Sequence, residues 1–499
     1  MENVSYISNS VYGPIPISMM NSELTGLYGS DLLKEISEII GYYNAFEKGA
    51  EFTPEGSKDY KPAKLPYKYI KSLISKEAAF MFSKPLDFNI KTDNKDDDEQ
   101  AKRDISILQS FINAVLKKNK FNNKILKAAK DCFIGKRIAL VLNFNEQGIG
   151  LSFSPSLEFI YETDDNDTDR ITKIVLFYTR RNSDNKKEQE IYKKRYWMGE
   201  DGFCHVHEAL YNGMGEEKEV IIEDLRTKFD YIPGVIIINE GLTGDLDGES
   251  DVENLLNYEE WYSRLSSADI DTMRKGMNPI RYTRDMDSNS TKHLSISAGA
   301  YWDLMTDQNL EEANPEQGII ETDLSYSDPF SKTLERIRKV MYNQLNVPDL
   351  NTDKLSGIVA SGKTFKAIYW ELIIRCEEKL TAWRPALEFI GQTIIEGAKL
   401  YPESASPYLN GETIPEVDYI VDVVNSYPIP EDEQEEKETD LAEVNAQTMS
   451  KKSYIKKWKG LTDKEADAEI EQIAKERELL EDNYDIPVEP YNPPVGNEQ

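Results

Sequence analysis

"GIVASGKT", residues 357–364, fits a phosphate-binding pattern: glycine, four residues, then Gly362, Lys363 and Thr364. In that pattern backbone N–H groups wrap the phosphates of a nucleotide and the lysine reaches them, at the turn from a buried strand into a helix. Here the preceding residues, "DLNTDKLS" (349–356), are mostly polar and follow Pro348, so no buried strand leads into Gly357. A helical pattern does begin after the match. The acidic residue that would hold Mg²⁺ at the end of a later strand has one candidate, Asp422 in "YIVDVV" (419–424). One very long helical pattern separates it from the match, where a nucleotide-binding domain needs several alternating strands and helices. Gly357 and Gly362 therefore read as a flexible joint at a helix start. A P-loop ATPase using Gly357–Thr364 stands as the alternative.

Working outward, the long helical pattern runs from about 362 to 400, and Pro385 inside it removes a helical hydrogen bond and predicts a kink. Upstream, "PFSKTLERIRKVMYNQLNV" (329–347) predicts a helix capped by Asp328 or Ser331 and ending before Pro348. Leu334, Ile337, Val340, Met341 and Leu345 form its apolar stripe, and Lys332, Glu335, Arg336, Lys339 and Asn343 fall opposite. Residues 278–326 read as strands and turns, including "PIRYTRDM" (279–286) and "AGAYWDLM" (298–305). Before them, "ESDVENLLNYEEWYSRLSSADIDTMRKG" (249–276) predicts a helix roughly 40 Å long that stops at Gly276. Its apolar positions are Val252, Leu255, Leu256, Leu265 and Ile270.

The N-terminal half is mixed. Helices are expected in "SDLLKEISEIIGYYNAF" (30–46), in "LPYKYIKSLISKEAAFMF" (65–82), and twice in 101–135, the second closing on Gly135 as a C-cap. Ile70, Leu73, Ile74, Ala78 and Phe80 mark the apolar face of the 65–82 helix. Residues 137–155, 171–181, 190–210 and 234–239 are short β-rich runs separated by Gly, Asn and Asp, as in hairpins. After the β-like "VDYIVDVV" (417–424), the acidic "PEDEQEEKETD" (430–440) opens a terminal helical module. Ser450 and Thr462 look like caps there, and Thr462 with Glu465 fits a capping box. The Pro-rich end is expected to be a disordered tail.

Bulk composition narrows the function. The 499 residues carry a formal net charge of −31, with 39% hydrophobic residues. A protein that grips nucleic acid tightly is normally basic, because phosphate contacts dominate affinity. The acid is then either solubilising surface or the mark of a protein that handles DNA without sticking to it. No apolar run spans a bilayer, no signal peptide is expected, and Cys132, Cys204 and Cys376 suggest a reducing cytoplasm. His205 and His207 in "CHVH" share a strand face, but with three histidines in all a metal site is not expected. No catalytic centre and no cofactor emerge.

The order of these parts resembles the bacteriophage portal (head-to-tail connector) family, of the type found in siphophages and myophages of Gram-positive hosts. The likeness is carried by "KLPYKYIKSLISKEAAFMFSKPLDF" (64–88), "NKFNNKILKAAKDCFIGKRIALVLNFNEQG" (119–148), "YIPGVIIINEGLTGDLDGESDVENLLNYEEWYSRLSSADID" (231–271), "KLSGIVASGKTFKAIYWELIIRCEEKL" (354–380) and "MSKKSYIKKWKGLTDKEADAEIEQIAKERE" (449–478). It covers about 64–480; residues 1–60 and 180–230 match nothing placed.

The resemblance implies an α+β, portal-type multidomain subunit: wing 1–250, stem helix 251–277, clip 278–327 and a second stem helix 328–346. A tunnel loop at 347–360, with Asp349, Asn351, Asp353 and Lys354, would follow. The long kinked helix and wing completion would occupy 361–429, the crown 430–482 and the tail 483–499. It further implies a homo-oligomeric ring, usually of about twelve copies, at a capsid vertex of the virion, assembled in the host cytoplasm. Double-stranded DNA would pass non-specifically through it. Terminase large subunit, head-completion or adaptor proteins, and major capsid and scaffolding proteins would be its partners, with no membrane. Lys332, Arg336 and Lys339 would form sparse cationic rings in the channel, the bland reading being surface pairing with Glu335. A neck or minor-capsid scaffold would also assemble, with a bore that need not admit a duplex.

Overall fold

A computed structural model describes residues 19–20, 22–23, 29–54, 61–92, 99–181, 189–242, 244–277, 280–287, 305–307, 309, 314, 316–320, 325–350, 362–409, 411, 413–429 and 433–482. The fold is α+β, as the patterns predict. It divides into two compact units, Met1–Asn351 with Tyr369–Pro428, and Thr352–Ile368 with Ile429–Gln499.

The first unit opens with α1 (Gly29–Lys48), α2 (Tyr69–Phe82), β1 (Asp87–Lys91), α3 (Glu99–Lys118) and α4 (Phe121–Gly135). Its middle is β2 (Arg137–Asn145), β3 (Gly148–Pro155), β4 (Phe159–Thr163), β5 (Ile171–Arg181), β6 (Gln189–Met198), β7 (Cys204–Asn212), β8 (Glu217–Arg226) and β9 (Gly234–Ile238). Then come α5 (Glu253–Met277), β10 (Ile280–Arg284), β11 (Glu316–Ile320) and α6 (Ser327–Gln344). After α7 (Gly362–Ile368), which belongs to the second unit, the first unit closes with α8 (Trp370–Leu400), α9 (Pro402–Ala405) and β12 (Ile420–Val424).

The strand order is β3-β2-β9 in one sheet and β4-β5-β6-β7-β8 in another, with β1-β12 and β10-β11 as two-stranded pairs. All these pairings are antiparallel. Ala139 and Val141 of β2 pack with Phe159, Ile174, Leu176, Tyr196, Cys204 and Val206 of the larger sheet. Ile138, Leu140 and Leu142, which point the other way by the period of two, are equally buried. Burial on both faces is why β2 reads as an unbroken apolar run. Helix α8 reaches the strands through two glycines. A side chain at Gly397 would meet the Phe144 ring at 2.2 Å, and one at Gly391 would meet Val421 at 2.7 Å.

A polar ladder fastens α5. Glu259, Ser263, Ser267 and Asp271 lie four residues apart on one buried face of that helix. Ala63 N–H donates to Asp271 Oδ2 at 3.0 Å, Leu65 N–H to Ser267 Oγ at 3.0 Å, and Tyr67 N–H to Ser263 Oγ at 3.1 Å. Glu259 closes the array, accepting from Ile70 N–H at 2.9 Å and Ala50 N–H at 2.8 Å. Four helical residues rise about 6 Å and two extended residues about 6.7 Å, so alternate amides of the strap meet successive turns of the helix. Pro66, which has no N–H, occupies one of the two positions between these donors, and Pro62 lies just before the first. The apolar packing expected along 249–276 holds for the buried Val252 and Leu255, but beyond them the buried face is polar.

A buried charge cluster ties α8 to the rest of the unit. Lys379 Nζ lies 2.5 Å from Asp251 Oδ2, 3.2 Å from Glu77 Oε1 and 3.0 Å from Asn239 Oδ1. Arg375 Nε bonds Glu77 Oε1 at 2.8 Å, and its Nη2 lies 2.7 Å from both Asp251 Oδ1 and Glu240 Oε1. Glu77, Asp251 and Lys379 are essentially inaccessible to water. Burial pushes the Glu77 carboxyl up despite the cations beside it.

Several boundaries differ from the expected ones. Helix α2 starts at Tyr69, because 61–68 is the extended strap. The positive-φ residue after α4 is Lys136 (φ 72°), and Gly135 is the last helical residue, its bare Cα facing Ser156. Helix α5 runs past Gly276 to Met277. The 362–400 pattern is two helices broken at Tyr369, and Pro385 lies inside an unbroken α8. Helix α6 begins at Ser327 after Tyr326, which gives no side-chain cap; Asp328 sits in the first turn, where its charge suits the helix dipole. Strands β4 and β8 were not expected. "AGAYWDLM" lies outside the described residues apart from Met305, as does the Pro-rich end.

The second unit contains α7, α10 (Glu433–Asn445), α11 (Lys451–Lys459) and α12 (Asp463–Asp482). Ser450 caps α11 by accepting from Ser453 N–H at 3.1 Å, as expected. Of the capping box, Glu465 returns to Thr462 N–H at 2.9 Å, while the Thr462 hydroxyl donates to the same carboxylate. Lys452–Asp467, Lys457–Asp440 and Lys459–Glu469 pairs join the three helices.

Two outcomes follow for stability. Lys379→Met leaves the buried Asp251 and Glu77 with Arg375 as the one cation still paired to both and should cost about 3–5 kcal/mol, read as a lowered thermal midpoint. Ser263→Ala and Ser267→Ala should each cost about 1 kcal/mol and speed amide exchange at Tyr67 and Leu65 respectively.

Candidate channel-lining face

Helix α6 presents two distinct sides. Leu334, Ile337 and Val340 are half-buried, and Met341 and Leu345 are buried, so the apolar stripe faces the protein as its spacing predicts. Lys332, Glu335, Arg336, Lys339 and Asn343 are all exposed on the other side. Steps of three or four residues keep these five on one face. Lys339 Nζ pairs with Glu335 Oε1 at 3.1 Å, both side chains more than half exposed. Among the described residues neither Lys332 nor Arg336 has an ion-pair partner. The face thus carries three cations and one anion on a chain that is strongly acidic.

The two ends of α6 are fixed. At the start, Tyr326 Oη donates to Asp269 Oδ1 of α5 at 2.9 Å. At the end, Asn346 adopts φ 52°, its N–H donates to Asn343 O at 3.1 Å, and Val347 N–H donates to Tyr342 O at 3.0 Å. This is a Schellman termination with asparagine in the left-handed position, followed by Pro348. Arg338 then holds Asp349 at 2.7 Å, with Asp349 largely buried. Asp349, the first of the residues expected in the tunnel loop, is thereby tied to α6. Asn351, Asp353 and Lys354 lie outside the described residues. The Arg338–Asp349 pair was not anticipated, although "NVP" (346–348) carried a recognisable stop signal.

Of the P-loop match, residues 357–361 lie outside the described residues, and Gly362–Thr364 begin α7. Asp422, the candidate Mg²⁺ ligand, sits on β12, which pairs antiparallel with β1, and is bonded to Lys91. That pairing is not the parallel arrangement a nucleotide cradle requires. His205 also has other partners: its Nδ1 lies 2.6 Å from Asp224 Oδ1 and its Nε2 lies 3.2 Å from Asp201 Oδ1. The bond to Asp224 chiefly holds its pKa up. Among the described residues no group of three or more His, Cys, Asp or Glu side chains could hold a metal ion.

A family description, "Phage portal protein, SPP1 Gp6-like", matches residues 30–480 of the chain. The chain belongs to the SPP1 Gp6-like family of phage portal proteins. Portal proteins are structural; they form oligomeric rings, typically dodecamers, that serve as the DNA-packaging channel and head–tail connector of the phage capsid. Comparison with curated protein sequences gives no match. Among the described residues no helix is long and apolar enough to cross a membrane.

One carboxyl in this portal subunit titrates near neutrality. Burial, reinforced by Asp131, pushes Glu158 up to about 7 from an ordinary value of 4.5. A raised carboxyl binds more protons folded than unfolded. Its contribution to stability is therefore complete below pH 4.5 and is lost as pH rises through about 7. Glu158→Gln should flatten that part of the stability–pH curve, measured by unfolding between pH 4 and 8 (about the window of the shift).

Proposed function

We propose that about twelve copies of this chain close into a portal ring at one capsid vertex, and that the exposed face of α6 lines the bore. The observation that carries this reading is the sparse cationic row, Lys332, Arg336 and Lys339, set on a chain of net charge −31. Twelve such chains sum to about −370, and wherever that charge faces a channel it repels DNA phosphate. Affinity for DNA and its salt dependence grow with each phosphate neutralised, so a wall that lets a duplex slide needs few such contacts. Glu335 beside Lys339 lowers the grip further.

In this arrangement 1–250 with 361–429 forms the wing, 251–277 and 328–346 form the stem, and 278–327 forms the clip. Residues 347–360 form the tunnel loop and 430–482 the crown. The clip docks the terminase motor during packaging and the neck adaptor afterwards, and the genome later leaves by the same bore. Translocation energy comes from ATP hydrolysis by the docked motor, not by this chain. Assembly takes place in the host cytoplasm, with capsid and scaffolding proteins as partners.

The test is packaging with Lys332→Glu and Arg336→Glu combined. Ring assembly should be unaffected, because both side chains are exposed and have no ion-pair partner among the described residues. DNA packaging or retention should fall at least about tenfold, as phosphate repulsion replaces attraction at every copy. Unchanged packaging would show that this face does not meet DNA.

A further inference from the structure

Two tryptophans of the first unit stand out among those described. Trp261 on α5 is 51% exposed and Trp370 at the start of α8 is 60% exposed. Each has an exposed apolar neighbour on its own helix, Tyr258 beside Trp261 and Ile374 one turn after Trp370. Exposed aromatic side chains clustered in this way mark interaction surfaces more often than scattered single ones do. Both patches sit on helices whose other sides are fixed inward. On α5 the ladder residues Glu259 and Ser263 bind the strap, two residues on either side of Trp261. On α8, Arg375 and Lys379 enter the buried charge cluster while Trp370 and Ile374 point away from it.

The patches differ in charge. The Arg264 guanidinium, about a third exposed, lies over the Trp261 ring at 5.0 Å and bonds Glu260 through Nη2 at 2.7 Å; its Nε is buried. Around Trp370 and Ile374 the exposed charges of α8 are Glu371, Glu377 and Glu378. Glu377 bonds Tyr427 and Arg384, whereas Glu371 and Glu378 have no ion-pair partner among the described residues. One patch thus offers an aromatic ring with a partly exposed guanidinium beside it, and the other an aromatic and aliphatic surface flanked by carboxylates.

A ring built by rotation repeats a single head-to-tail contact, so each copy must carry two different, mutually complementary surfaces. We infer that the Trp261–Arg264 patch of one copy docks onto the Trp370–Ile374 patch of the next. The inference rests on the ring reading and adds which surfaces close it.

Mixing two variants of the full chain tests it. Trp261→Glu destroys the first surface and keeps the second, and Trp370→Glu does the reverse. Each alone should remain a folded monomer in mass photometry, with unchanged circular dichroism. An equimolar mixture should give a heterodimer and nothing larger, since one intact contact survives per pair. Trp261→Ser and Trp370→Ser, which add no charge, should weaken ring formation at least about tenfold by the same readout. Rings from either glutamate variant, homodimers of one variant, or a mixture that stays monomeric would overturn the pairing. A wild-type chain that never forms rings would instead remove the reading beneath it, and the pairing with it.

Discussion

Lys379 and Arg375 enter the interior of the first unit from α8 and meet Glu77 from α2, Asp251 from the turn before α5, and Asn239 and Glu240 from the end of β9. These elements are far apart in sequence, and none satisfies its buried charge alone. Desolvated charges lose several kcal/mol each unless paired and hydrogen-bonded, so the chain is stable only when α8, α2, β9 and the start of α5 occupy these relative positions. Apolar packing tolerates small slips; a geometry with five charged groups and one amide does not. From this point the ladder of Glu259, Ser263, Ser267 and Asp271 carries the same fixity along α5 for three more turns.

That rigidity bears on what a portal subunit does. A conduit must hold its helices steady while a long, highly charged polymer moves past. In this chain α5 is held by directional bonds to a backbone strap, and α6 is held at its start by Tyr326–Asp269 and at its end by the Schellman turn and the Arg338–Asp349 pair. The outer face of α6 is left with short-range, screened charges of low density. On the proposed reading this face lines the bore, and its few cations hold phosphate weakly enough for a duplex to slide.

The parts of the fold legible in the sequence are those governed by periodicity. The apolar stripe of α6, the exposure of its opposite face, the hairpin strands β2–β3 and β6–β7, and the Ser450 cap all follow from local pattern. What escaped were polar residues with distant partners. Glu259, Ser263 and Asp271 read as solvent positions, because nothing near them in sequence shows that amides some two hundred residues earlier need acceptors. Lys379 and Arg375 resemble surface cations for the same reason. The break at Tyr369 and the positive φ of Lys136 run against local preference, so local pattern did not show them. On the candidate face, side-chain exposure was readable from spacing, while the anchoring of Asp349 depended on Arg338, a residue the spacing assigned to neither side of the helix.

The most direct measurement is an averaged electron-microscopy map of the purified full-length chain, refined far enough to place helices. The account predicts a closed annulus whose narrowest helical wall turns the Lys332–Arg336–Lys339 side of α6 toward an opening of at least about 20 Å, wide enough for a duplex. Isolated subunits at every concentration, or an annulus with that side of α6 packed against a neighbour and another surface lining the hole, would contradict it.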